Sequence, residues 1–159
     1  MKKLLCMLLA LTVALVAFAG LASAEEEGTW KIAILTGTTS QGEEEFRAAE
    51  ALKEQYPDNV ITDTYPDQFM AEQETTISKL VAFATDPDVK AIVMCQAVPG
   101  ATAAFNRIRE MGRDDILLIA GVPQEDPAVI SEAADDVMTA DEIKQTDSIM
   151  ETCANWDID

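Results

Sequence analysis

The sequence predicts an α/β protein built on an open, doubly wound parallel sheet, a Rossmann-like fold of three layers. After Trp30, short apolar runs alternate with segments of helical periodicity, which is the pattern of strands covered by helices. Residues 89–95 are mostly apolar, as central parallel strands are because both of their faces are buried. The 159 − 24 = 135 residues that follow residue 24 fit one domain but not two, so we expect a single lobe.

The first elements follow from the residues 32–65. Residues 32–35 predict strand one, and residues 60–65 predict a shorter, more polar strand nearer the sheet edge. Ser40 and Glu43 fit a capping box, so helix one should start there and run to about Gln55. Its inward stripe would be apolar at helical spacing, formed by Phe46, Ala49, Leu52 and Tyr56.

The later elements alternate in the same way. Helix two, over 70–84, has apolar residues at positions i, i+3, i+4 and i+7, namely Ile77, Leu80, Val81 and Ala84. After strand three at 89–95, a third helix shows the stripe Ala101, Ala104, Phe105, Ile108 and Met111. Strand four follows at 116–120, and 136–138 fit a short fifth strand. Between these strands, Asp126 as N-cap and Pro127 at the first helical position predict a fourth helix.

The amino terminus has the features of a cleavable signal peptide over residues 1–24. Lys2 and Lys3 precede an apolar stretch, which ends in Ala22-Ser23-Ala24, the small residues that signal peptidase prefers. The apolar stretch is shorter than the roughly 20 residues that a membrane-spanning helix needs. We therefore expect cleavage after Ala24, export to the periplasm or the extracellular space, and no stable membrane insertion afterwards. A polar leader at 25–29 would precede the lobe at 30–142, and 143–159 would form an irregular or helical tail.

Composition excludes several function classes. The chain has 29 acidic and 11 basic residues and a formal net charge of −18, which makes nucleic acid and anionic lipid poor partners. It contains no histidine, which removes the commonest general base, most zinc sites and the Ser-His-Asp arrangement. No phosphate-binding loop or dinucleotide motif occurs. We therefore predict no catalytic residue, no metal site and no cofactor.

The fold itself points to a candidate site. Ligands of open α/β sheets bind at the carboxyl ends of the strands, where the strand order reverses. With the order 2-1-3-4-5, the reversal lies between strands one and three, beside the loops 36–42 and 96–100. Together with the next loops, these supply the predicted ligand-binding residues, which are Thr36, Gly37, Thr38, Thr39, Ser40, Gln41, Asp67, Gln68, Gln96, Gly100, Gln124, Glu125 and Asp126.

The chemistry of these loops favours a small polar solute. At the reversal, hydroxyl and amide groups predict a neutral cleft that suits a sugar, a nucleoside or an amide. The alternative is that these residues are turn formers and caps, as Thr, Ser and Gly are in most loops. Glu43, Glu44 and Glu45 fill the first turn of helix one, where they complement the helix dipole and disfavour phosphate.

Other carboxylates and the cysteines leave alternatives open. Glu125 and Asp126 could form an acid and base pair, or could cap helix four and otherwise face solvent. Cys95 ends an apolar run and would pack as a small core hydrophobe. A disulfide with Cys153 is the other possibility for this thiol, since an oxidising compartment permits one.

Four blocks of sequence resemble a known family. They are WKIAILTGTTSQGEEEFRAAE at 30–50, YPDQFMAEQETTISK at 65–79, DPDVKAIVMCQAVPG at 86–100 and AGVPQEDP at 120–127. In this order they resemble an uncharacterised family of exported bacterial proteins related to type I periplasmic solute-binding proteins. The resemblance covers about 30–142. It implies a two-lobed receptor that closes around a small solute and feeds a membrane transporter or reports to a sensor.

This chain departs from that plan because the second lobe has no counterpart in it. One hypothesis is that an internal deletion or a frameshift joined distant pieces and that the chain is the amino-terminal lobe of a truncated receptor. The expected function is extracytoplasmic binding of a small polar solute. Two alternatives are an extracytoplasmic enzyme that uses the carboxylates Asp67, Glu125 or Asp126, and a remnant without function.

Overall fold

The computed structural model describes residues 29–139 as one five-stranded sheet with flanking helices. All paired strands are parallel, in the order β2-β1-β3-β4-β5, which confirms the predicted three-layer α/β architecture. In chain order the elements are β1 (Lys31–Thr36), α1 (Glu43–Gln55), β2 (Val60–Thr64), α2 (Gln73–Ala84), β3 (Val89–Met94), α3 (Ala101–Glu110), β4 (Leu117–Gly121), α4 (Pro127–Ile130) and β5 (Asp136–Met138).

One face of the sheet carries most of the core and is called the packed face here. The helices α2, α3 and α4 cover it, and α2 lies against α3. Phe105 of α3 is fully buried there, and so is Leu35 of β1. The predicted stripe of α2 is confirmed at its buried positions Ile77, Leu80 and Ala84, and that of α3 at Ala101, Ala104, Phe105 and Ile108.

The opposite face carries only α1 among the described helices and is called the open face. Its buried cluster is small, with Ile34, Ala49 and Val60. The predicted α1 stripe is therefore wrong at two positions, because Leu52 and Tyr56 remain 43% and 46% exposed. Helical periodicity identified the apolar side of α1 but could not show how much of that side another element covers.

Three predicted helix boundaries also need correction. Helix α1 starts after Gly42 without a side-chain cap, so the predicted capping box does not form. Helix α2 starts at Gln73 rather than at residue 70, because a turn precedes it in which the Gln68 carbonyl accepts the amides of residues 71 and 72. Helix α3 ends at Glu110, so Met111, the last residue of its predicted stripe, is 46% exposed.

Arg113 ties several elements together at the amino edge of the sheet. Its guanidinium donates to the backbone carbonyls of Ala84, Asp86 and Val89, at the end of α2 and the start of β3. Asp115 accepts a hydrogen bond of 2.8 Å from the Arg113 Nε. Hydrogen bonds from Arg113, and then from a lysine, hold the pKa of Asp115 far below its usual range. The amino edge is therefore fixed by charge-assisted hydrogen bonds.

Several predictions lie outside the described residues. They are the signal peptide at 1–24, nearly all of the leader, the tail and the pairing of Cys153. Cys95 forms no disulfide with another residue in the range 29–139. Among the helices of that range, none is long and apolar enough to cross a membrane.

Candidate ligand site at the carboxyl edge

The loops that follow β1, β2 and β3 meet at the carboxyl edge of the sheet. Because β1 lies between β2 and β3, its loop contacts both of the others. Thr36 ends β1 in a buried position, and its hydroxyl donates to the carbonyl of Gly37 at 2.9 Å. A Cβ at Gly37 would lie 2.8 Å from the Gln41 Cβ and 2.9 Å from the Tyr65 hydroxyl, so only glycine fits this crossing without displacement of its neighbours.

Asp67 joins the loop after β2 to the loop after β1. Its Oδ1 accepts from the hydroxyls of Thr38 and Ser40, the latter at 3.0 Å, and these two hydroxyls lie 2.7 Å apart. The Gln41 side-chain amide donates to the Asp67 carbonyl at 3.0 Å. Thr39 is exposed between them. The predicted hydroxyl and amide groups thus come together around a carboxylate.

Gln96 occupies the crevice between the loops after β1 and β3. Its Oε1 accepts from the Tyr65 hydroxyl at 3.2 Å, and its Nε2 donates to the Glu45 Oε1 at 3.3 Å. Tyr65 is 1% exposed, and its ring packs edge-to-face on Phe69 with 5.6 Å between centroids. The orientation of the Gln96 amide is therefore set by a fixed phenol on one side and a carboxylate on the other.

Two groups beside this crevice are kept in their neutral forms. Burial raises the pKa of the Tyr65 hydroxyl, and the charge of Glu45 raises it further. The same two causes, in the same order, raise the pKa of the Cys95 thiol. At neutral pH the phenol is therefore a hydrogen-bond donor, and the thiol lacks the thiolate character that a nucleophile requires.

Glu125 fills the amino end of α3. Its carboxylate accepts from the Gly100 amide at 3.0 Å, the Thr102 amide at 2.9 Å and the Thr102 hydroxyl at 2.5 Å. Gly100 has a φ of 103°, a left-handed conformation that favours glycine. The chain thus satisfies two amides of this helix end with its own carboxylate, whose charge disfavours an external anion there.

The remaining predicted residues form the rim. Asp126 is the N-cap of α4, as predicted, and its side chain accepts from the Ala128 amide at 2.9 Å. Gln124 and Gln68 are exposed. The Gln124 amide donates to the Ala97 carbonyl, and the Gln68 carbonyl accepts from the amides of residues 71 and 72. The structure therefore groups Thr38, Ser40 and Gln41 around Asp67 and joins Gln96 to Tyr65 and Glu45 in a second network at the same edge. The residues after β4 are caps and rim.

The cleft is not neutral, contrary to the prediction from its hydroxyl and amide groups. Asp67 and Glu45 place two carboxylates on it, and both are hydrogen-bonded to the predicted ligand-binding side chains. Glu45 and Tyr65 were missed as members of the site. The signal for Glu45 was its place in the first turn of a helix that starts at the switch point, where a side chain can turn toward the crevice as well as toward solvent. Within residues 29–139, no group of His, Cys, Asp and Glu side chains is arranged to hold a metal ion.

A family described as proteins of unknown function, DUF3798, matches residues 30–159. The chain belongs to this family. The match to DUF3798 extends beyond β5 and includes the residues that follow it.

Two uncharacterised proteins of Treponema pallidum (strain Nichols) are similar to this DUF3798 member. One is 35% identical over 119 residues, which cover 70% of this chain and 53% of the relative. The other is 45% identical over 62 residues, which cover 39% of this chain and 28% of the relative. The chain thus spans about half the length of the first relative.

A solved structure of a proposed transcriptional regulator from Clostridium difficile 630 has a similar fold, with a TM-score of 0.61 and 22% identity. The match covers 66% of this chain and 32% of that protein. At this level of identity the likeness supports the α/β fold alone.

Proposed function

We propose that this chain is an extracytoplasmic solute-binding lobe of the type I periplasmic class, which binds a small polar solute at the crevice between the loops after β1 and β3. The observation that carries the proposal is the pair of polar networks at the topological switch point, one around Asp67 and one around Gln96. Such crevices are where open α/β sheets bind ligands.

The charges of these networks define the class of solute. Asp67 and Glu45 repel anions, and Glu125 already occupies the amino end of α3. A neutral polyhydroxyl compound or a molecule with a primary amine would instead gain hydrogen bonds from the same carboxylates. The proposed solute is thus a sugar, a nucleoside or an amine-bearing compound, and the site disfavours phosphorylated ligands.

The enzyme alternative has less support. Two of its candidate carboxylates serve as helix caps, Glu125 on α3 and Asp126 on α4. No specific feature of the described residues favours catalysis at one of them, so binding is the function that we propose.

Isothermal titration with sugars, nucleosides, amino acids and polyamines tests the proposal, with their phosphorylated forms as the anionic comparison. We expect a neutral or amine-bearing compound to bind, and Gln96→Ala and Asp67→Asn to weaken it at least tenfold. Asp58→Asn is the matched control, because Asp58 is an exposed carboxylate in the turn after α1, where β2 begins. Equal binding by all three variants would place the site elsewhere.

The longer Treponema relative should be titrated in parallel, because this chain spans only 53% of it. Binding by the relative but not by this chain would show that the solute needs residues beyond the lobe. Silence of both proteins across the panel would reject solute binding. Export is tested separately by amino-terminal sequencing of protein from the periplasmic fraction, where we expect the chain to start at Glu25.

A further inference from the structure

An apolar groove runs along α1 on the open face of the sheet, and its volume is about 490 Å³. Strands β1 and β3 contribute to its floor, and α1 forms one wall. Its aromatic and aliphatic lining includes Trp30, Ile32, Leu52, Tyr56 and Val93. Pockets of a few hundred Å³ with mostly apolar walls and a small number of polar groups are typical of small-molecule sites. The groove therefore has the size and the lining of a ligand site.

One carboxylate stands at the end of this groove. Glu45 is the only charged residue among the described residues that line it. Its neighbour Glu43 is paired with Arg47 at 2.6 Å, whereas Glu45 forms no ion pair within residues 29–139. Its Oε1 accepts from the Gln96 amide at 3.3 Å. A single carboxylate at one end of an apolar groove is complementary to a ligand that carries one cation on an apolar body.

The groove and the solute crevice meet at Glu45. Cys95 lines the groove, and the next residue, Gln96, lies in the crevice and bonds to Glu45. Helix α1 starts at the carboxyl edge, so the groove extends from Glu45 along the helix toward Tyr56, a distance of roughly 16 Å at 1.5 Å per residue. A ligand with one end in the crevice can therefore place the rest of its length in the groove.

We propose that the solute is a primary amine with an apolar tail, whose ammonium group binds between Glu45 and Gln96 and whose tail lies in the groove. This inference rests on the proposed function and narrows its solute class. An ammonium group has three donors, for which the Glu45 carboxylate and the Gln96 Oε1 are acceptors. A sugar would leave the apolar walls without a partner, and a fatty carboxylate would be repelled by Glu45.

Isothermal titration of the full chain with n-alkylamines from methylamine to octylamine tests the tail. We expect the affinity to rise about two- to fourfold with each methylene, because each one moves out of water into the groove. Alcohols and carboxylates of the same length test the head group, and the carboxylates should bind about tenfold more weakly than the amines or worse. Affinity that does not depend on chain length, or equal affinity of amines and carboxylates, would overturn the proposal.

Three variants separate the head group from the tail. Glu45→Gln should abolish the preference for amines over alcohols and keep the dependence on chain length. Leu52→Asp should do the opposite, because it places a charge in the groove wall at a position that is 43% exposed and so tolerates one in the fold. Glu44→Gln is the matched control, because Glu44 is the exposed neighbour of Glu45 and does not line the groove. Loss of the amine preference in the control as well would overturn the role of Glu45.

The outcomes distinguish this inference from the proposed function. If a sugar, a nucleoside or a polyamine binds and is weakened by Gln96→Ala, while octylamine binds no better than methylamine, the tail site is rejected and the crevice site stands. If no compound of either series binds, both are rejected. Amine affinity that falls as the protein concentration rises would identify a second copy of the chain as the occupant of the groove and would overturn its assignment to a solute.

Discussion

The two faces of the sheet differ in how completely they are buried, although both use the same strands. Leu35 faces α2 and α3 in a continuous core, whereas its neighbour Ile34 faces a cluster of only three buried residues beside a groove. On the packed face, helical periodicity and burial agree. On the open face, the side chains of α1 are apolar without being covered. The difference shows that an amphipathic pattern reports the tendency of a helix to be buried, and that the neighbouring elements determine the result.

Alanine substitutions at the adjacent residues Leu35 and Ile34 compare the faces directly. Leu35→Ala should cost about 3–5 kcal/mol, because it leaves a cavity in a filled core. Ile34→Ala should cost about 1–2 kcal/mol, because the surface it contacts is already partly open. Urea unfolding measures both. Equal losses would show that Ile34 is packed as tightly as Leu35.

The next comparison is between the amino end of α3, on the packed face, and the amino end of α1, on the open face. Glu125→Ala should cost about 1–2 kcal/mol, because it leaves the amides of Gly100 and Thr102 without their acceptor. Glu43→Ala at the start of α1 should cost less than about 0.5 kcal/mol, because this exposed side chain forms only an i,i+4 pair with Arg47. Thermal unfolding of both variants gives the difference. A larger loss at Glu43 would mean that α1 depends on its first turn more than the contacts indicate.

A smaller effect is expected where an exposed leucine of the open face becomes charged. Leu117→Lys should cost about 1 kcal/mol more than Val129→Lys, although the two residues are 48% and 51% exposed. The reason is that Leu117 lies in strand β4, where lysine is disfavoured, whereas Val129 lies in the short helix α4, and an exposed position there tolerates lysine within about 0.5 kcal/mol. Chemical denaturation of the full chain measures the gap. Two equally mild variants would show that Leu117 contributes no more to stability than Val129 does.

The smallest expected effect is the pH dependence of stability that arises at the amino edge of the sheet. Hydrogen bonds from Arg113 and Lys31 lower the pKa values of Asp115 and Asp86, respectively, in the folded chain. A lowered folded pKa contributes stability that is complete above the unfolded value, about 3.9, and is lost as the pH falls through the folded value. Stability should therefore decline below about pH 4, and Asp115→Asn should flatten that decline. If the stability of Asp115→Asn falls with pH as steeply as that of the unchanged chain, Asp115 does not contribute to the decline.

The sequence predicted the positions of the loops, because they follow from the alternation of elements and from general rules of parallel sheets. The strand order that the site prediction assumed, 2-1-3-4-5, is the observed one. It placed Thr38, Ser40, Asp67 and Gln96 at one edge. The structure confirms that the first three meet there, while Gln96 bonds to Tyr65 beside them. It did not predict which way Glu45 points. That choice depends on the crevice formed by another loop, and nothing local to α1 encodes it.

Glu125 is a second residue whose role the local sequence could not predict. Its position beside Asp126 suggested a cap for the fourth helix, and Asp126 does have that role. Glu125 instead caps α3, which starts 24 residues earlier in the chain. Local sequence rules describe caps that lie within a few residues of the helix they serve, so a cap delivered by another loop has no local signature.

That distant cap has a consequence for the order of folding. Helix α3 is complete in the chain before β4 is, yet the carboxylate that satisfies its amino end arrives only when β4 pairs with β3 and carries Glu125 into place. Any intermediate that contains β1 to β3 alone therefore has an α3 with unsatisfied amides, which frays at its start. The pairing of β4 with β3 thus stabilises the amino end of α3, and the two elements are coupled through the Glu125 carboxylate.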